Sequence, residues 1–306
     1  MFYLGFDIGG TKCAVSVGRY ENQVMKILER TEVSTKSNPI LFFDEVARQI
    51  TEYKNKYNVK HAGISCGGPL DVEKGIIIST PNLPKEWHGF SIVDYIYERF
   101  GLSSKLENDA NASAIAEWKF GAGRGAKNLI FLTFGTGLGA GLILDGKLYS
   151  GTNGNAGEVG HIRLEDFGPV GYNKAGSAEG FCSGSGIAKL ARMRASEEGL
   201  VIEEDITAKK IFDKASKGDR FYSAIVEECA SKFGRVLSLL IDLFNPEAII
   251  AGGVFMRNYE TFKSIIDPII KREALEDAYG VCKILPAEIG ENIGDFAALA
   301  VAISEI

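Results

Sequence analysis

Three features of this sequence predict an α/β chain of two domains. Two strand–turn–strand hairpins with glycine-rich turns lie far apart, short apolar strands alternate with helical periodicity, and 306 residues with 45% hydrophobic content fill two ordinary cores.

The first hairpin runs from Phe2-Tyr3-Leu4 through the turn Gly5-Phe6-Asp7-Ile8-Gly9-Gly10-Thr11-Lys12 into Cys13-Ala14-Val15-Ser16-Val17. Glycines let backbone N–H groups close on phosphate oxygens, but Asp7 would repel a triphosphate unless a divalent cation stood between them. Bound nucleotide with magnesium (Mg2+) is therefore expected. A Walker A loop or a dinucleotide fingerprint runs from strand into helix, and neither occurs here. The second hairpin places the turn Gly135-Thr136-Gly137-Leu138-Gly139-Ala140-Gly141 between Leu129–Phe134, which includes Thr133, and Leu142–Leu144. Either turn alone reads rather as an ordinary sheet turn; together, each with a Thr, they imply a duplicated architecture.

Between the hairpins, Val24–Val33 continues the first sheet, and Ile40, Phe43, Val46, Ala47, Ile50 and Tyr53 recur at helical spacing over 38–57. His61–Cys66 reads as a buried strand ending at Gly67-Gly68-Pro69, giving β-β-β-α-β. A loop at Thr80–Pro84, a helix over 92–100, a short strand at Lys105-Leu106-Glu107 and a helix over 110–120 follow. Gly121–Gly125 reads as a connector. Residues 151–186 are glycine-rich and irregular, a length of loop that compact domains keep for function. Helices are expected over 187–198, 208–217 and 222–244, the last stopped by Asn245-Pro246; a strand at 247–251 meets Gly252-Gly253, and a helix over 295–303 closes the chain.

Composition excludes several classes. The net charge is −6 and the basic residues are scattered, so no nucleic acid is expected as a partner. Cys13, Cys66, Cys182, Cys229 and Cys282 are widely spaced without a C-x-x-C, which fits a reducing compartment. Without a signal-like start or an apolar run of about 18 residues, a cytoplasmic protein away from any membrane is expected.

Asp109 is the candidate general base, because phosphoryl transfer to an alcohol asks one group to accept the hydroxyl proton. Taken alone it reads better as the cap of the following helix, where Asn and Asp are preferred. Asn82 and Asn108 carry amides suited to sugar hydroxyls, or serve as loop and cap residues. Glu158 and His161, flanked by Gly157 and Gly160, read as a sugar-binding pair, as a metal site through His161, or as surface loop. With three histidines in unrelated surroundings, a His-cluster metal site is not expected. Gly252-Gly253 after an apolar strand fits approach to a planar ring such as adenine, or an ordinary strand-to-helix turn.

Taken in order, these motifs resemble the ROK family of sugar kinases and repressors in the actin-like ATPase superfamily. The resemblance covers nearly the whole chain and rests on Asp7–Lys12, Gly67-Gly68-Pro69, Pro81-Asn82-Leu83, Glu107–Ala112, Gly135–Gly141, Glu158-x-x-His161, Glu179 and Gly252-Gly253. It implies two ribonuclease H-like α/β domains around a ligand cleft: a small one over 1–120, completed by a C-terminal helix over about 293–306, and a large one over 121–292. It implies ATP-dependent phosphorylation of a hexose of the glucose or N-acetylhexosamine type, commonly at the 6-hydroxyl, with closure over the ligands. Asp109 matches the catalytic base, and Gly68, Asn82, Asn108, Glu158, His161 and Glu179 fall in sugar-side motifs. Asp7, Gly9, Gly10, Thr11, Lys12, Thr133, Gly135, Thr136, Gly137, Gly252 and Gly253 fall in the phosphate, magnesium and adenosine motifs.

Many members carry a C-x-C-G-x-x-G-C-x-E zinc motif. Here its cysteine positions hold Val170, Tyr172 and Ser177, so no zinc is expected, and packing of Tyr172 and Phe181 is expected to hold the loop instead. The family's repressors carry a DNA-binding domain ahead of the phosphate turn; with Asp7 seventh in the sequence, none is expected here. A non-catalytic sugar-binding or regulatory protein, or a kinase of fructose or a β-glucoside, remains the alternative. Members are often dimers, so a homodimer is compatible, although nothing in the sequence marks its interface.

Overall fold

The first hairpin forms over β1 (Phe2–Ile8) and β2 (Lys12–Glu21), antiparallel with Ile8 opposite Cys13. The expected turn is therefore too long. Gly5–Ile8 pair within the sheet and Asp7 stands opposite Ala14, so its side chain projects from a strand, and only Gly9-Gly10-Thr11 turn. β3 (Val24–Ser34) adds antiparallel to β2. The structure is a computed structural model that describes residues 1–304.

α1 (Pro39–Tyr57) starts where Asn38 Oδ1 accepts from Leu41 N and ends on Asn58 in the left-handed conformation. It buries Phe42, Phe43, Val46, Ile50 and Tyr53, whereas Ile40, expected on the inner face, is 43% exposed. Positions 42, 46, 50 and 53 share one helical face and 40 falls off it. β4 (His61–Cys66) then lies parallel to β1. A small sheet over Leu70–Asp71, Ile76–Ile77 and Phe90–Ser91, together with α2 (Ile92–Phe100), leads to β5 (Ser103–Asn108), parallel to β4. The sheet order is β3-β2-β1-β4-β5. Phe6, Phe42, Phe43 and Trp87 are fully buried in its core, each contributing about 1.5–3 kcal/mol of apolar burial. α3 (Asp109–Phe120) follows β5 directly.

The second hairpin, β6 (Leu129–Phe134) and β7 (Leu138–Leu144), has a three-residue turn, so Leu138–Gly141 belong to the strand rather than to the expected turn. After the irregular segment come a short hairpin of β8 (Val170–Gly171) and β9 (Lys174–Ala175), then α4 (Ala178–Phe181), α5 (Gly184–Glu197), α6 (Ala208–Ala215) and α7 (Arg220–Phe244). β10 (Ala248–Ala251) lies parallel to β6, and α8 (Gly253–Arg257), α9 (Tyr259–Glu273) and α10 (Glu276–Val281) precede β11 (Lys283–Pro286), parallel to β10. Both sheets thus place a parallel strand against the first strand of an antiparallel hairpin. Phe134, Phe233, Phe255 and Phe262 pack here with ring centroids 5.1–5.8 Å apart, and this cluster anchors both the end of β6 and the start of α8.

α11 (Ile293–Ile303) returns to the first sheet and packs on β1, β4 and α3. Its approach requires glycine: a Cβ on Gly63 would lie 2.0 Å from Ala298 O. The last two positions of the helix expected over 293–306 lie outside the described residues. The chain forms two units, one of Met1–Gly125, Lys147–Ala156 and the segment from Glu291, the other of Ala126–Gly146 and Gly157–Gly290. Among the described residues no helix is long and apolar enough to cross a membrane, and the five cysteines are free and buried.

Candidate active site

In the first unit, the Gly9–Thr11 turn is closed by Gly9 N donating to Lys12 O and held from just beyond β3, where Thr35 Oγ1 donates to Gly9 O at 2.6 Å and Thr35 N donates to Thr11 O. Lys12 Nζ reaches back to Glu32 Oε1 at 2.6 Å. Gly10 lies against the Asn82 backbone, Gly67 faces Thr80 and Asp109, and Gly68, joined to Pro69 by a cis bond, faces the Asn108 amide nitrogen. Asp7, Gly10, Gly68, Asn82, Asn108 and Asp109 thus gather at the ends of β1, β4 and β5.

Capping of α3 falls to Asn108 rather than Asp109. Its Oδ1 accepts from Ala110 N at 3.0 Å and Asn111 N at 3.4 Å, which leaves Nδ2 as a donor only. Asp109 is the first helical residue, with Oδ1 3.0 Å or less from Ala110 N (2.9 Å) and its backbone carbonyl accepting from Ser113 Oγ. Buried Glu107 accepts from both Asn108 N and Asn111 Nδ2 and so fixes the strand-to-helix junction.

Burial, then the negative charges of Asp295 and Asp109, push the Asp7 carboxyl up to about 6, with Arg30 opposing. Arg30 donates through Nε to Asp295 Oδ2 at 2.7 Å and through a terminal nitrogen to Glu32 Oε2 at 2.7 Å. Asp295 is 4% exposed and its Oδ1 is buried without a partner. Asp7, Asp109 and Asp295, with Glu32 paired to Arg30 and Lys12, leave this corner negative and suited to a cation. Among the described residues no three His, Cys, Asp or Glu side chains converge on a metal ion. A cation here would thus take Asp7 as a protein partner and complete its shell with phosphate oxygens and water, as magnesium does.

In the second unit, Thr133 Oγ1 accepts from Gly139 N at 2.9 Å, bracing the hairpin. Gly135 O accepts from Gly184 N at 2.7 Å, and Thr136 O from Ser185 Oγ at 2.7 Å, so the N-terminus of α5 abuts the turn. Ser183, which caps α5, and Ser185 were not singled out from sequence, although Ser183-Gly-Ser-Gly186 before an apolar stretch is a helix-start signal. Gly253, at φ +57°, would bring a Cβ to 2.0 Å from Phe134 O, so β10 and the turn can meet only through glycine.

Glu158, His161 and Glu179 lie together with Tyr172. Glu179 accepts from Leu138 N through Oε2 and from Tyr172 N through Oε1, both at 3.1 Å. Tyr172 Oη donates to Glu158 Oε2 at 2.5 Å, and its ring meets that of His161 edge-on at 5.4 Å. Phe181 is buried as expected, but Tyr172 is 47% exposed and acts through hydrogen bonds rather than core packing. Ser177 donates to Gly171 O at 2.9 Å and accepts from Gly180 N at 3.1 Å, tying the loop to α4. Cys182 faces the other way, its thiol donating to Cys229 O.

The ROK hexokinase of Thermus thermophilus has a similar structure, with a TM-score of 0.83 and 26% identity over 99% of this chain and 98% of that one. The ROK glucokinase of Streptomyces griseus, solved with glucose and AMPPNP, gives 0.79 and 30% over 99% of each. The glucokinase of Thermotoga maritima is 30% identical over 97% of this chain and 96% of its own. Two sheet-bearing α/β lobes of this kind make the chain a relative of the actin-like ATPases. It belongs to the ROK family, whose model matches residues 3–305.

Proposed function

We propose that this chain transfers the γ-phosphoryl group of ATP to a hydroxyl of a hexose, with Asp109 as general base. The observation that supports this most is the placement of Asp109 beside the Asp7 turn while Asn108 takes the capping role. In phosphoryl transfer the protein's work is positioning and charge stabilisation, with one carboxylate accepting the hydroxyl proton as the bond to phosphorus forms.

Asn108 Nδ2 and the Asn82 amide donate to sugar hydroxyls beside Gly68, and Glu158, His161 and Glu179 supply the remaining sugar contacts. Gly10 and Thr11, in a turn closed by Gly9 with Lys12 at the edge, and Thr136 and Gly137, in a turn closed by Gly135 and braced by Thr133, present backbone N–H groups to phosphate; Gly252 and Gly253 receive the adenosine. Asp7, ionised at neutral pH, holds magnesium through water or nucleotide. That ion, when bound, neutralises phosphate charge during transfer. The reading carries over to a glucose- or N-acetylhexosamine-type acceptor at its 6-hydroxyl, and to a cytoplasmic setting in which the five thiols stay reduced.

A coupled assay of ATP consumption across a hexose panel, beginning with glucose, tests the proposal. Turnover with at least one hexose is expected. Measurable hexose binding with no turnover on any sugar would reduce the chain to a sugar-binding protein.

A further inference from the structure

Tyr172 touches all three of the second unit's sugar-side residues at once. Its hydroxyl donates to Glu158, its ring edge meets His161, and its backbone N–H donates to Glu179. It does so from an unfavourable position. β8 and β9 pair Val170 with Ala175 and Gly171 with Lys174, so Tyr172 and Asn173 form a two-residue turn, and both have φ +55°. Turns of that type favour Asn and Gly, and a bulky aromatic at positive φ is an uncommon choice. Backbone strain of this sort persists where the side chain has another task.

On the hexose-kinase reading above, we infer that Tyr172 is the positioning residue that fixes the sugar-side carboxylates and imidazole. The short hydrogen bond from its hydroxyl directs Glu158 Oε2 and leaves Oε1 to accept from a sugar hydroxyl. Its ring limits how the His161 imidazole can turn, while the His161 carbonyl is held by Lys174 Nζ at 2.8 Å from the far side of the same hairpin. Its N–H and that of Leu138 each take one oxygen of Glu179, so the carboxylate meets the sugar with its remaining lone pairs in fixed directions. Glucose and its epimers differ only in hydroxyl direction, and acceptors fixed in this way discriminate between them.

The test uses the full chain with Tyr172→Phe and Tyr172→Asn, reading sugar and ATP KM, sugar Kd by calorimetry, and thermal midpoint. Tyr172→Phe removes one charge-assisted hydrogen bond and should raise the hexose KM and Kd about tenfold, with ATP KM unchanged. Tyr172→Asn suits the turn, so its midpoint should equal or exceed the parent's while hexose binding weakens at least as much and preference among epimers relaxes. A residue that merely supported the loop would not move stability and sugar binding in opposite directions. In a Glu158→Gln background, the Tyr172→Phe effect should largely vanish. If the parent phosphorylates a hexose and neither variant alters its KM, Kd or epimer preference, the role of Tyr172 is overturned while the kinase reading stands. If the parent neither binds nor phosphorylates any hexose, both are overturned.

Discussion

Replacing Asp7 with Asn should stabilise the protein while disabling it. The carboxyl has been moved from its ordinary 3.8 to about 6, first by burial and then by Asp295 and Asp109. At pH 7 that displacement corresponds to about 3 kcal/mol of destabilisation in the ligand-free fold, which sets a ceiling. The side chain is only partly screened from water, so about 1–2 kcal/mol is the expected gain for an uncharged isostere. The sign follows from the direction of the shift. A folded-state pKa above the unfolded one favours the protonated carboxyl, so the penalty is absent below about pH 4, builds up to about pH 6 and is complete at pH 7. Thermal or urea unfolding without metal or nucleotide should therefore show Asp7→Asn ahead by a few degrees at pH 7 and level with the parent near pH 4. On the proposed reading, in which Asp7 holds magnesium, its turnover should fall at least about 100-fold, because the amide cannot replace that charge. An Asp7→Asn protein no more stable than the parent at pH 7, or one whose advantage persists unchanged at acid pH, would refute the electrostatic account of this corner.

Asp109→Asn should keep hexose binding within about twofold while kcat drops by about two to four orders of magnitude, measured by calorimetry alongside the coupled assay; near-normal turnover would rule Asp109 out as the base. Gly253→Ala should cost more than about 1 kcal/mol and raise the ATP KM, since its Cβ would collide with Phe134 O at a backbone of φ +57°; a variant with unaltered melting and ATP KM would show that the contact yields freely. Chelation should abolish turnover, and magnesium should restore it; elemental analysis should find well under one zinc per chain, and one zinc per chain would contradict the account of the Tyr172 loop.

Much of this arrangement was legible in the chain because it is local. His61–Cys66 is bounded by residues that name its ends, and α7 stops where Asn245-Pro246 requires it. The hairpins are legible, but glycine disguises where their strands end: Gly5 and Gly139–Gly141 are sheet residues in a sequence that reads as turn. Residues 254–292 carry no element legible in the sequence. Phe262, Ile266 and Ile270 form a clean stripe on α9, but Pro268 sits within it and masks the helical signal. The parts of the site that escaped notice are set by topology. Arg30 and Asp295 are 265 positions apart, and no spacing rule connects them. Ser185 reaches the second turn only because α5 begins there.

The return of α11 to the first sheet has a consequence for synthesis. On the ribosome, β1 through α3 emerge before the second unit, yet the helix that covers β1, β4 and α3 is made only after that unit. The second unit is contiguous apart from one short excursion, and its final strand leaves the ribosome before α11 does. The usual order of maturation along a nascent chain is thereby inverted. The unit carrying Asp7 and Asp109 waits, with an apolar sheet face uncovered, while its later-made neighbour can already have closed its core; no transferase activity can precede the synthesis of α11.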